Sequence, residues 1–271
     1  MVNAEGMHWD RVFSEAASTY DEVIPFFAHW GRRTIALTPL KPGDRVLDVA
    51  SGRGSTIFPA LERVGPEGSV TGTDFAPDMV RLTGEEIRRR GINNAQMLKM
   101  DARQLEFPDQ GFDAVVCAFG IFFIPSPETA LAEMRRVLKA GGHLMLVTWV
   151  GDDPRYSWMG PVVGAILGSA ARPPADPFKE EGSLPGAVVA TGLKVQSIQE
   201  EEHTFHFRDG GEWVKWLGSH GARRLIEMLE AQGADVMLRY REAAVRETEK
   251  YRDAAGIPLT RRARFTLATK V

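Results

Sequence analysis

The chain has a single cysteine among 271 residues, so no intramolecular disulfide can form, which suits a reducing compartment. That residue, Cys117, lies in the apolar run Ala114–Phe119, where a buried structural thiol is expected rather than a nucleophile. No cysteine cluster offers a structural zinc site, and no histidine–carboxylate pattern resembles a metal-dependent catechol site, so no metal is inferred. The sequence also lacks an excess of one charge: 33 Lys and Arg against 36 Asp and Glu leave −3. No global positive field would gather nucleic acid or an anionic membrane, and neither is expected as a partner. The N-terminus MVNAEGMHWDRVF carries acidic residues and no long apolar stretch, unlike a signal peptide or a membrane anchor. A cytoplasmic protein is the expectation. Internal repeats, coiled-coil heptads and low-complexity tails are missing too.

What is present is ordinary globular composition, 44% hydrophobic and 25% charged, enough for one large core with a cap. Residues 6–37 interleave charged side chains with Trp9, Phe13, Tyr20, Phe26, Phe27 and Trp30, and read as one or two short helices. Pro39 and Pro42 mark the break before the first strand. A strand–helix alternation follows: strands at 45–51, 69–75, 96–101, 112–119 and 143–150, with helices between them. Pro77 suits a first helical turn, which does not need the missing N–H. Ala130, Leu131, Met134, Val137 and Leu138 recur with helical period after Ser126-Pro127, and Lys139-Ala-Gly-Gly142 is read as the stop. Apolar runs separated by helices predict a parallel sheet covered on both faces, with ligands collecting at the C-terminal strand ends.

Beyond Val150 the rhythm stops. Residues 151–182 are rich in Gly, Pro and Ala, with an apolar helix at 158–167; a helix at 183–190 and a strand at 194–207 follow. A long charged helical section has Trp213, Leu217, Leu225, Met228 and Leu229 as its inward residues. Residues 262–270 form a final strand, polar and apolar by turns, expected to be partly exposed as an edge. The chain therefore divides into a helical segment (1–40), a ligand-binding core (41–150) and a completing section (151–271). Insertions at about 152–182 and 208–258 are read as a lid.

The strongest signal is Val46-Leu-Asp-Val-Ala-Ser-Gly-Arg-Gly54, a strand ending in a small-residue turn with a helix directly after it. Such a turn serves a nicotinamide dinucleotide, another nucleoside cofactor, or packing alone. Asp48 sets a carboxylate before the glycines, where it would repel a diphosphate; it can organise the loop or meet a cationic amine through water. That favours a sulfonium amino-acid nucleoside over a dinucleotide. Asp74 closes the second strand and suits two ribose hydroxyls. Asp101 closes the third and suits an adenine amino group, with Phe75 and Met79 as apolar ring contacts. Helix capping explains one strand-end aspartate; three in succession beside the turn point to a site.

These stretches resemble the class I S-adenosylmethionine-dependent methyltransferases, particularly the ubiquinone and menaquinone C-methyltransferase subgroup, over about Val12–Val150 and more loosely at Phe265–Lys270. The resemblance implies a Rossmann-like α/β fold with a mainly parallel seven-stranded sheet and S-adenosyl-L-methionine as cofactor. It further implies that Asp48, Ala50, Ser51, Gly52 and Gly54 wrap the methionine moiety, that Asp74 holds the ribose, and that Asp101 with Ala102 receives the adenine. Tyr20 matches an N-terminal residue that reaches the cofactor, and the strand ending at Phe119 flanks the transferred methyl. The pattern departs at Ala50, where the family's commonest residue is glycine, and at Arg53, where many members have a small residue; Arg53 either reaches the cofactor carboxylate or faces solvent.

The sulfonium methyl is already activated, so the protein's task is to set a nucleophile opposite the sulfur, with a general base where the acceptor is phenolic or enolic. His29, His206 and His220 are candidate bases, and the sequence does not choose among them. Trp158, Met159, Phe178, Trp213 and Trp216, with Phe122 and Phe123, suggest a wide apolar chamber for a quinone, polyketide or other hydrophobic small molecule. The competing readings are a nicotinamide oxidoreductase, an RNA-modifying methyltransferase, and a cofactor-binding protein whose chemistry has been diverted, for instance to cyclisation.

Overall fold

Alternating residues of the central strands enter two different cores, which is why those strands read as continuous apolar runs. Residues 9–168, 177–178, 180 and 182–271 are described by the computed structural model. Two helices come first, α1 (Trp9–Ala16) and α2 (Phe26–Leu37). Five parallel strands follow with helices between most of them: β1 (Arg45–Val49), α3 (Ile57–Val64), β2 (Ser69–Asp74), α4 (Pro77–Arg89), β3 (Ala95–Lys99), β4 (Phe112–Ala118), α5 (Pro127–Val137) and β5 (Leu138–Trp149). Val46 and Val116 pack on one face with Trp30, Ile57 and Ala60 of α2 and α3. Leu47, Val115 and Cys117 pack on the other with Leu131 and Met134 of α5. Cys117 is buried, and burial pushes its thiol up to about 12, so it packs rather than reacts.

The second half contributes α6 (Met159–Leu167), α7 (Ser183–Ala190), β6 (Leu193–Phe207), α8 (Gly210–Leu217), α9 (Arg223–Glu230), α10 (Ala234–Glu249) and β7 (Ile257–Lys270). The seven strands lie in the order β3-β2-β1-β4-β5-β7-β6, with β7 antiparallel to both neighbours. The strand order reverses between β1 and β4, which opens a crevice at the C-terminal ends of the parallel strands. Among the described residues, no helix is long and apolar enough to cross a membrane.

Three expectations are corrected. The last strand begins at Ile257 and lies inside the sheet between β5 and β6, so β6 is the edge. The strand is partly exposed as expected: Arg262 is exposed and pairs across the ladder with Glu202 (3.1 Å), and Arg264 pairs with Glu200 (2.8 Å). Lys139–Gly142 is no loop before β5; strand geometry resumes at Leu138 directly after α5, and the pairing with β4 slips there. The expected aromatic chamber is largely core. Trp213 stacks on Tyr156 (ring centroids 5.2 Å apart), Trp216 packs on Phe26 (5.1 Å), and Phe178 is buried on the opposite face of the sheet. The first lid insertion, about 152–182, falls partly outside the described residues. In the second, α9 pairs with α1 through Arg11–Glu227 and Arg223–Glu15.

Candidate active site

The turn after β1 is built by alternating left-handed residues, Ala50, Gly52 and Gly54, with φ of 55°, 55° and 77°. Three hydrogen bonds hold it against β2 and α4. Ser51 N–H donates to the Thr73 carbonyl (2.9 Å), Gly52 N–H to Asp74 Oδ2 (2.8 Å), and Thr83 Oγ1 to the Gly52 carbonyl (3.0 Å). Beneath it, Asp48 accepts hydrogen bonds from Ser51 Oγ (2.5 Å) and the Thr56 hydroxyl. Burial raises the Asp48 carboxyl to about 6, with those hydroxyls opposing the shift and Asp74 adding to it. Of its two expected roles, Asp48 takes that of loop organiser; it does not border the cavity above.

That cavity, about 440 Å³, opens at the tips of β1 to β4. Its floor is Ala50, Gly52 and Asp74, one side is Phe75 and Met79, and another is Asp101 and Ala102. Asp74 accepts two backbone N–H groups, from Gly52 (2.8 Å) and Ala76 (2.9 Å), and burial raises its pKa despite them. Asp101 is met by Arg103, whose guanidinium lies 2.7 Å from Oδ2 and holds the carboxyl below its ordinary value. Phe75 borders the cavity yet is 52% exposed, leaving a ring face uncovered. Two carboxylates at neighbouring strand tips, with an uncovered ring and small apolar walls beside them, suit a nucleoside.

Tyr20 reaches the far end of the cavity because Asp21 caps α2, accepting N–H bonds from Phe27 (2.8 Å) and Ala28 (2.6 Å). Phe27 then stacks on the Tyr20 ring at 4.5 Å. Burial, with Asp21 and Asp74 nearby, raises the Tyr20 hydroxyl well above its ordinary value, so it stays protonated. The roof comes from α1: Trp9 and Phe13 close on Phe123 with centroids 4.7 and 5.0 Å away. Among the described residues, no group of three or more His, Cys, Asp or Glu side chains is placed to hold a metal ion.

A model of the ubiE/COQ5 methyltransferase family matches residues 1–150. The chain belongs to that family. This methyltransferase uses S-adenosylmethionine as its cofactor. It is 32% identical over 269 residues to nocamycin O-methyltransferase of Saccharothrix syringae, covering 92% of this chain and 93% of that one. It is 38% identical over 161 residues to aklanonic acid methyltransferase of Streptomyces sp. (strain C5), covering 59% and 73%. Among solved structures, YcgJ of Bacillus subtilis superposes with a TM-score of 0.60 at 21% identity, over 89% of this chain and 98% of that one. The [4+2]-cyclase SpnF superposes at 0.57 and 22% identity, over 90% and 81%. At such identities both show the fold alone.

Of the residues the sequence singled out, Tyr20, Ala50, Gly52, Asp74, Phe75, Met79, Asp101, Ala102 and Phe119 border the methyltransferase's cavity. Asp48 lies beneath the turn, and Ser51 and Gly54 belong to the turn without bordering the cavity. Arg53 does not border the cavity, and its Nη1 is buried without a hydrogen-bond partner among the described residues. Other bordering positions were not singled out as cofactor residues, among them Trp9 and Phe13 of α1, Met100, and Gly120 after β4. The spacing of Trp9 and Phe13 marks an inward helix face, which in sequence looks the same whether it meets core or cavity.

Proposed function

We propose that this methyltransferase transfers the methyl group of S-adenosylmethionine to a small, hydrophobic acceptor of polyketide or quinone type. The observation that carries this reading is the succession of Asp74 and Asp101 at adjacent strand tips, joined to the Gly52 turn by the Gly52–Asp74 hydrogen bond of 2.8 Å. On this reading Asp74 holds the ribose hydroxyls, Asp101 and Ala102 meet the adenine edge, and Phe75 and Met79 cover its faces. The turn from Ala50 to Gly54 surrounds the methionine moiety, with the Tyr20 hydroxyl donating to it. Bound there, S-adenosylmethionine supplies a methyl group already activated on a sulfonium.

What remains for the chain is orientation and exclusion of water, worth of order 7–11 kcal/mol where alignment is good. The wall beside Phe119 is aromatic: Phe119 stacks on Trp149 at 3.8 Å and lies 6.2 Å from Phe27. Such faces suit a flat apolar acceptor and also attract a cationic methyl donor. Relatives named for nocamycin, aklanonic acid and demethylmenaquinone agree with this acceptor class. The test is calorimetric titration with S-adenosylmethionine, followed by transfer of labelled methyl to hydroxynaphthoquinones and aromatic polyketides. Saturable cofactor binding with methylated quinone or polyketide product is expected; no binding at low salt would overturn the reading.

A further inference from the structure

Part of the cavity lies beyond the residues proposed to hold the cofactor. Trp9, Asp10 and Phe13 of α1 border it together with Phe123, Ile124 and Pro125 after β4, and all but Asp10 are apolar. The three rings form one cluster. Trp9 and Phe13 meet Phe123 edge to face, at centroid distances of 4.7 and 5.0 Å, and lie 6.0 Å from each other. Each is only half-buried while bordering the cavity, so core packing does not use up its surface.

Three contacts put this cluster on the Tyr20–Phe119 side of the cavity. Phe13 packs beside Tyr20 on the small core group of Ala17, Ala76 and Met79. Phe123 lies four residues beyond Phe119, and its N–H donates to the Gly120 carbonyl at 3.0 Å. Behind both rings runs the turn between α8 and α9, where a methyl group on Gly221 would lie 3.0 Å from Phe123 Cζ and 3.4 Å from Phe13 Cζ. The next residue back, His220, packs on Phe27, which stacks on Tyr20. Gly221 does not have a left-handed φ, so its backbone would accept another residue without strain. What the missing side chain provides is room: the tips of Phe13 and Phe123 rest against the space it would fill. A larger residue there would press both rings toward the cavity they border.

We propose that Trp9, Phe13 and Phe123 form the acceptor subsite, that it takes an uncharged, flat, fused-ring molecule, and that Gly221 sets its depth by letting the rings sit back. This subsite presupposes the methyltransferase reading of the cavity and narrows its substrate. A flat ring system pairs with the edges and faces that the three side chains present. Asp10 is the only ionisable side chain that α1 and residues 119–125 bring to the lining, so an anionic acceptor would meet a carboxylate there and no cation. The acceptor needs no opening of its own, because the three rings border the same cavity as Asp74 and Asp101. Gly221 touches neither cofactor nor acceptor; it is a specificity-determining position that acts through Phe13 and Phe123.

The test is equilibrium dialysis of the full chain, saturated with S-adenosylhomocysteine, against 1,8-dihydroxyanthraquinone, its 4,5-dihydroxy-2-carboxylate derivative and the smaller 1-naphthol at neutral pH. The wild type should bind the uncharged anthraquinone at least ~10-fold more tightly than naphthol, and the carboxylate no more tightly than its parent. Phe123→Ala should weaken the anthraquinone by at least ~10-fold, and more than it weakens S-adenosylhomocysteine. Gly221→Leu should bring the anthraquinone-to-naphthol ratio near one while S-adenosylhomocysteine affinity stays within about threefold, with Gly221→Ala intermediate. S-adenosylhomocysteine binding also reports folding, and if Gly221→Leu has lost it, Gly221→Ala decides. A wild-type ratio near one, a tighter carboxylate, or a ratio unmoved in Gly221→Ala would overturn the proposal. So would a Phe123→Ala protein that loses S-adenosylhomocysteine but not the anthraquinone, because the rings would then cover the adenine. A wild type that does not bind S-adenosylhomocysteine would sink the cofactor reading instead.

Discussion

A methyl group at Gly120 would lie 2.4 Å from the Cβ of Ala50. The two loops that leave β1 and β4 therefore meet with no spare room under the cavity, and Ala50 does so with a φ of 55° that favours glycine. Gly120→Ala should cost about 1–3 kcal/mol by overpacking and weaken cofactor binding. Ala50→Gly should be neutral or stabilising by up to ~1 kcal/mol, because it removes the left-handed strain. The double variant should recover most of the loss. Thermal denaturation of the four proteins measures the coupling, and strict additivity would contradict it.

Asp74 and Asp101 both end strands, but they are not equivalent. Asp74 is the residue to which the Gly52 N–H is tied, whereas Asp101 is half-exposed and already engaged by Arg103. Asp74→Ala loosens the turn and, on the proposed reading, removes a ribose contact, so cofactor affinity should fall by about 10–100-fold, more than for Asp101→Ala. Asp74→Asn, whose amide oxygen still accepts from Gly52, should fall between wild type and Asp74→Ala. Calorimetric titration ranks the three variants.

The raised Asp48 carboxyl makes the stability of the turn depend on pH. Its folded value of about 6 exceeds the ordinary 3.8, so the folded protein holds that proton more tightly than the unfolded chain does. The favourable contribution is complete below about pH 4 and is lost as pH rises through about 6. Asp48→Asn cannot ionise and carries no such dependence. Its melting temperature relative to wild type should therefore rise between about pH 4 and pH 7. Other carboxyls with the same shift, such as Asp21, cancel in the difference. A flat difference across that range would refute the assignment.

Trp213 distinguishes a core from a loose lid. It is 1% exposed and packs between Tyr156 and Trp158. Trp213→Ala should cost about 3–5 kcal/mol, a fall of at least ~6 °C in melting temperature. A variant that keeps wild-type stability and changes only acceptor affinity would show α8 to be a detachable cover.

The residues proposed to hold the cofactor were legible as a group because their information is local. A strand tip, a small-residue turn and the next helix are consecutive in the chain, so Asp48, Gly52, Asp74 and Asp101 announce themselves by position after an apolar run. The roof was not legible, since Trp9 and Phe13 meet Phe123 from more than a hundred residues away. The place of β7 was not legible either: Arg262 and Arg264 mark a partly exposed face, but only the partner row, Glu200 and Glu202, shows that the strand lies inside the sheet.

Side-chain periodicity and turn chemistry alone dictated the parallel strands, the helices between them and the small-residue bend after β1, because each follows from neighbours along the backbone. Which face of each later helix is buried, where β7 inserts, and that His220 is buried against Trp216 were settled only by packing. Those outcomes depend on contacts between distant segments, and a sequence records that a side chain is apolar or charged without recording what it will meet.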